Sequence, residues 1–324
     1  MGSAAIHMNN NRLIALRGFA SWGLALIVTA FPTAACAAAA EPAAVAWWVW
    51  PCALFLVCFL LGIVAVPAGI GGGVLFVPIV GGFFPFHFDF VRGAGLLVAL
   101  ASALAAGPGL LRAGLADLRL ALPLALLASV GSIAGALLGL ALPVALVQTA
   151  LGATILLIAF LMWSARRDEF PQAAEQDPLA AALGLGGIFH DARGGAIAWQ
   201  ARRTRLGLVM FLFIGMLAGL FGLGAGWANV PALNLVMGVP LKLSAGTSGI
   251  ILAIVDASAA WIYINQGALL AMVAAPSVIG MMLGAFIGAR LLRIMRASSI
   301  RRLVILMLLL AGMRTLAKGL GLWN

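Results

Sequence analysis

The chain has 324 residues, 64% of them hydrophobic and 9% charged, with a mean hydropathy of +1.16. That composition excludes a water-soluble domain and indicates an all-α polytopic membrane protein partnered by the lipid bilayer. The net charge of +10 does not argue for a nucleic-acid partner, because the basic residues lie in short loops between apolar runs, where they set topology.

Residues 1–40 read as a signal-like segment or a first helix. Arg12 and Arg17 precede an apolar stretch from about Gly18 to Ala35, and small residues follow it. Cleavage near Ala38 to Ala40 would fit that pattern. Thr33-Ala34-Ala35-Cys36 is a poor lipobox, so no lipoprotein is expected. Both readings start the next segment outside the cytoplasm.

Ten apolar segments follow. Those of the first half, within 47–164, run approximately 47–68, 73–86, 92–111, 119–141 and 144–164. Those of the second half, within 206–320, run 206–221, 226–239, 244–264, 268–290 and 303–320. The second segment of each half is short. A helix of that length covers ~21 Å at 1.5 Å per residue, less than the ~30 Å hydrocarbon core. Each is therefore expected to be a part-helix completed by extended glycine-rich chain, or a re-entrant hairpin. Between the halves, residues 165–205 are polar and mixed, and read as a cytoplasmic linker. Phe189-His190-Asp191 within it reads as solvated loop rather than a catalytic pair. The spacing of Cys36, Cys52, Cys58, His7, His87 and His190 fits neither a disulfide framework nor a metal cluster, and no cofactor is expected.

The halves repeat. Gly69-Ile-Gly-Gly-Gly-x4-Pro78 returns 153 positions later as Gly222-Leu-Gly-Ala-Gly-x4-Pro231. At the same offset Gly62 matches Gly215, Gly93 matches Gly246, Gly131 and Gly135 match Gly284 and Gly288, and Pro123 matches Pro276. Glycine and proline carry backbone geometry, so their agreement at one register is informative. Five crossings per half make the repeats inverted. With residue 47 outside, every one of the 19 lysines and arginines except Arg92, Arg314 and Lys318 then falls on the cytoplasmic side. Four crossings per half would strand a basic cluster outside.

Inverted repeats with interrupted helices are the pattern of secondary transporters, with substrate held near the midplane. Glycines let a ligand approach the backbone, and the helix that follows presents unpaired amides to an anion. Gly69, Gly71, Gly72, Gly73 and Pro78, with Gly222, Gly224, Gly226 and Pro231, are the candidate substrate-binding breaks. The two prolines are expected to break the helical ladder at equivalent places. Asn229, Thr247 and Ser248 add side-chain donors in the second half. Ser102 and Ser258 are expected to bond their own helices. Asp256 is the one acidic residue of nine placed inside a predicted span, and is the candidate proton-coupling group.

The paired motifs, with Ala245-Gly246-Thr247-Ser248 downstream, resemble the sulfite exporter TauE/SafE family, also called the toluene sulfonate uptake permease group. The resemblance covers roughly residues 50–320. It implies an inner-membrane carrier for sulfite, sulfonates or related small organic anions, proton-linked and without enzymatic activity. Two departures are visible. Ala225 replaces a motif glycine, and Arg92-Gly93-Ala94-Gly95 stands where a Thr-Ser pair is expected. A carrier for an unrelated small organic anion and a non-transport membrane scaffold are the competing readings. An intramembrane hydrolase built on Ser248 fails, because the second half has no histidine to activate it. The chain has no nucleotide-binding P-loop.

Overall fold

A computed structural model describes residues 47–68, 71–112, 114–164, 177–190, 196–291 and 297–322. The signal-like segment 1–40 and Gly69 lie outside the described residues. Trp50–Asn324 form one compact unit; of the other, Met1–Val49, only residues 47–49 are described.

The first half contributes α1 (Val49–Ala68), α2 (Gly72–Phe83), α3 (Phe88–Arg112), α4 (Leu118–Ala141) and α5 (Val144–Ser164). The second contributes α7 (Thr204–Phe221), α8 (Gly226–Pro231) with a π-helical turn over Ala232–Val236, α9 (Leu241–Asn265), α10 (Ala271–Leu291) and α11 (Ala297–Gly319). By length and composition, α3, α4, α7, α9 and α10 are long and apolar enough to cross a membrane. Between the halves lie a short helix, α6 (Pro178–Ala182), and an antiparallel hairpin of β1 (Gly186–His190) and β2 (Ala196–Gln200). The stretch read as a linker thus contains a docked hairpin, with Phe189 and His190 in its first strand and Asp191 outside the described residues. Ala201 N–H donates to Leu185 O, and Arg202 N–H donates to Met237 O at 2.9 Å.

Glycines decide which helices touch, because without a Cβ two backbones can close on each other. A Cβ on Gly215 of α7 would lie 2.7 Å from the Ala128 Cα of α4. At the matching pair, a Cβ on Gly62 of α1 would lie 2.7 Å from the Met281 carbonyl oxygen of α10. Both pairs run parallel: Gly131 meets Leu212 and Gly135 meets Met216, just as Gly284 meets Phe59 and Gly288 meets Ile63. Each half therefore packs its first helix against the fourth helix of the other half. This reciprocity is what a two-fold relation between the halves produces.

Matched helices run antiparallel. Gly93 at the start of α3 meets Ala268 beyond the end of α9, and Gly246 at the start of α9 meets Leu115 beyond the end of α3. Gly152 of α5 meets Leu316 of α11, while Gly319 meets Thr149. The repeats are therefore inverted. Trp50, at the start of α1, sits edge-on to Phe84 and Phe86, with ring centroids 5.8 and 6.0 Å apart. So α2, though short, carries the chain back to the face where α1 began. Each half makes five passes, ending on the face opposite its start.

The two prolines do different things. Pro78 removes one bond from the ladder, as its missing N–H requires, but α2 continues through it. Pro231 is the last residue of α8, and the chain widens into a π turn after it. A wider turn is one way for a helix to accommodate the proline's missing donor.

Candidate functional site

The two glycine-rich breaks meet. Gly71 has φ +74°, Gly222 +70° and Gly224 +73°, a left-handed conformation that favours glycine. A Cβ on Gly73 would lie 2.9 Å from the Leu223 carbonyl carbon and 3.0 Å from the Ala99 Cβ. The same Ala99 Cβ lies 2.9 Å from the Cβ position of Gly224. Its repeat mate Leu252 lies 3.7 Å from the Cβ position of Gly71. So α3 and α9 each bring a residue to the other half's break, and the breaks touch through Gly73 and Leu223.

The polar groups differ between the two breaks. At the first, the Gly72 N–H donates to the Ser102 hydroxyl at 3.2 Å, and that hydroxyl donates to Ala99 O at 2.9 Å. A serine therefore occupies one of the amides that the short helix leaves without an intrahelical partner. At the second, Asp256 Oδ2 lies 2.9 Å from the Cβ position of Gly224. Asp256 is fully buried, and neither carboxylate oxygen has a hydrogen-bond partner among the described residues. An uncompensated buried charge is strongly unfavourable, so such a carboxyl is either protonated or waiting for a partner.

The remaining sequence candidates are placed as follows. Gly226 opens α8 and is buried. Asn229 lies one turn into α8, fully buried, with neither side-chain polar atom partnered among the described residues. Thr247 is not at the breaks. Its hydroxyl accepts the Asp117 N–H at 3.1 Å, tying the start of α9 to the cap of α4. Ser248 is its buried neighbour, eight residues before Asp256, or ~12 Å by the helical rise. Ser258 bonds Ile254 O of its own helix, as expected.

Residues 54–315 match the family model described as sulfite exporter TauE/SafE. The chain belongs to the sulfite exporter TauE/SafE family. No curated protein and no solved structure matches it. TauE/SafE proteins are membrane transporters for sulfite and related anions, and this member is an integral membrane protein.

One element of this TauE/SafE chain was not visible in the sequence. Arg92 stands at the edge of the predicted span 92–111, yet it is fully buried in the second turn of α3. Its Nη1 donates to Leu220 O at 2.9 Å, and Nη2 donates to Gly139 O at 3.0 Å and to Asp89. Its guanidinium also faces the rings of Phe88 and Tyr263, 5.3 and 5.6 Å from their centroids. The Tyr263 hydroxyl donates to Gly219 O at 3.0 Å. Cations are favoured at helix C-termini, and Arg92 serves two, those of α4 and α7. Its backbone also crowds Gly222, so the same residue fixes one edge of the second break.

Proposed function

We propose that this protein is a secondary transporter that moves a small anion by alternating access, with sulfite or an organosulfonate as the favoured cargo. In this reading the halves 47–164 and 206–320 are the two moving repeats, 165–205 lies on the cytoplasmic side, and the chain resides in the bacterial inner membrane. The substrate is held at the meeting of the breaks, by Gly71, Gly72, Gly73, Gly222, Gly224 and Gly226. Asn229 is a further donor. Gly69, Pro78, Pro231, Thr247 and Ser248 shape the segments around them.

The observation that carries this reading is the buried carboxyl of Asp256, unpartnered among the described residues, against the left-handed Gly224. Protonated, it offers an arriving oxyanion a donor. Ionised, it repels one. Anion and proton then bind together more favourably than either alone, which is coupling in its thermodynamic sense.

The test is uptake and counterflow in proteoliposomes with sulfite, sulfoacetate, taurine and sulfate, with and without a pH gradient. Flux of a sulfur oxyanion accelerated by the gradient is expected. Asp256→Asn is expected to insert normally and lose gradient-driven accumulation. No flux of any sulfur oxyanion overturns the assignment, and undiminished accumulation by the variant overturns the role of Asp256.

A further inference from the structure

We propose that Arg202 and Arg314 are paired positioning residues that set which face of this carrier opens, each by pinning the surface end of one short helix. This rests on the alternating-access reading above and adds a control to it.

The argument begins with two carbonyls. Arg314 Nε donates to Gly82 O at 2.8 Å, and Arg202 Nη2 donates to Leu235 O at 3.3 Å. Gly82 and Leu235 are repeat mates, separated by the same 153-residue offset as the motifs. The arginines are not mates of each other. The residues matching Arg314 and Arg202 are Leu161 and Val49, which have no side-chain donor. Duplication therefore supplied the equivalent carbonyls, but a different element caps each one. Arg314 comes from α11, whereas Arg202 comes from the end of the hairpin that precedes α7.

The two caps lie on opposite faces. Gly82 ends α2 on the face where α1 starts. Leu235 lies in the π turn that returns the chain to the linker face. At its deep end, each short segment carries the break that meets the other break. A helix of twelve residues is a rigid strut, so a shift at its capped end moves Gly72 and Gly73 at the other. The last carbonyls of such a strut lack intrahelical partners and carry the negative end of its dipole. Removing the guanidinium loosens that end, although Lys318 Nζ still holds Gly81 O at one and the Arg202 N–H still holds Met237 O at the other.

The pins are unequal. The Arg314 bond is partly buried, its guanidinium lies 4.0 Å from the Phe83 ring centroid, and Lys318 Nζ donates to the adjoining Gly81 O at 3.2 Å. The Arg202 bond is longer and exposed, and solvent screens exposed charges. Judged by these side-chain pins, and with the Arg202 N–H to Met237 O bond kept beside the weaker one, the linker face is the one that opens first. On the charge-derived orientation that face is cytoplasmic, the side from which an exporter loads.

The test is labelling of one cysteine, Ala225→Cys in the second break, with Cys36, Cys52 and Cys58 replaced by serine. A membrane-impermeant maleimide is applied to sealed vesicles of each orientation. The parent is expected to label faster from the linker face. Arg314→Met should raise the rate from the opposite face about two- to fivefold, and Arg202→Met should raise the linker-face rate by a similar factor, the range for one charge at a helix end. Arg→Lys at either position should give a smaller shift in the same direction, which keeps the test decisive if a methionine variant does not fold. Faster labelling from one and the same face with both the Arg314 and the Arg202 substitution, no shift with Lys or Met, or a parent labelled equally from both faces or from neither would overturn the proposal. Labelling needs no sulfite flux, so this outcome is separate from that of the transport assay.

Discussion

Gly73→Ala tests whether contact between the breaks matters. The added methyl would lie 2.9 Å from the Leu223 carbonyl carbon, closer still to its oxygen, and 3.0 Å from the Ala99 Cβ. Ordinary contact begins at 3.4 Å, and two of the three atoms struck are backbone, so neither can rotate aside. The breaks must therefore separate by a sizeable fraction of an ångström. Overpacking of this kind costs roughly 1–3 kcal/mol. Gly249→Ala is the control, since nothing lies within 4 Å of its Cβ position in α9. There alanine should stabilise, by about 0.5–1 kcal/mol, because glycine is the poorer helix former. Thermal unfolding in detergent should thus separate the two variants with opposite signs. Flux should fall by about tenfold or more for Gly73→Ala, since misplacing a binding group by about 1 Å can cost about a hundredfold. A Gly73→Ala protein with parental melting temperature and parental flux would refute the idea that the two breaks form one site.

Three other outcomes follow from the same geometry. Arg92→Met orphans Leu220 O and Gly139 O, at about 1–3 kcal/mol per buried carbonyl, so the melting temperature should drop clearly, and an unchanged midpoint would contradict the cap. Asp177 accepts from the Thr204 N–H, the largest cause of its lowered pKa, and from the Leu179 N–H, so the folded state favours its carboxylate. Its contribution is therefore full above the ordinary value of 3.8 and fades as pH falls through the lower folded value, so amide exchange in Ala196–Gln200, corrected for its intrinsic pH dependence, should accelerate only in that acidic window. Acceleration between pH 5 and 7 would argue against Asp177 as the anchor. Thr247→Val removes the acceptor for the Asp117 N–H and should lower stability by about 0.5–1.5 kcal/mol while leaving the apparent KM for transported anion unchanged; a raised KM would return Thr247 to the substrate site.

Much of this architecture could be read from residue type alone, because glycine and proline report backbone geometry wherever they stand. Their matched register gave the repeat, and the predicted segments 119–141 and 144–164 agree closely with Leu118–Ala141 and Val144–Ser164. The basic residues gave the inverted arrangement, and the antiparallel mates α3 and α9 agree with it. What stayed hidden depends on contacts between distant positions. Arg92 looked like a loop charge because its carbonyl partners are Gly139 and Leu220, far along the chain. Arg314 and Lys318 looked like exceptions to a charge rule, yet each caps the end of α2. The hairpin escaped notice because alternation in Gly186–His190 and Ala196–Gln200 is faint within so apolar a chain. The bond of the Thr247 hydroxyl was hidden for the same reason, because its partner, the Asp117 amide, belongs to the other half.

The exchange of first and fourth helices has a consequence for how the protein is made. As the ribosome delivers α1, the surface that Gly62 will close against does not exist until α10 emerges near the end of synthesis. At ~5–20 residues per second that delay is on the order of ten seconds or more. During it α1 has only lipid, or a chaperoning insertase, beside its small-residue stripe. Neither half has a complete packing partner within itself, so a truncated chain should be degraded rather than accumulate as a stable half-carrier, and quality control in effect inspects the whole molecule at once.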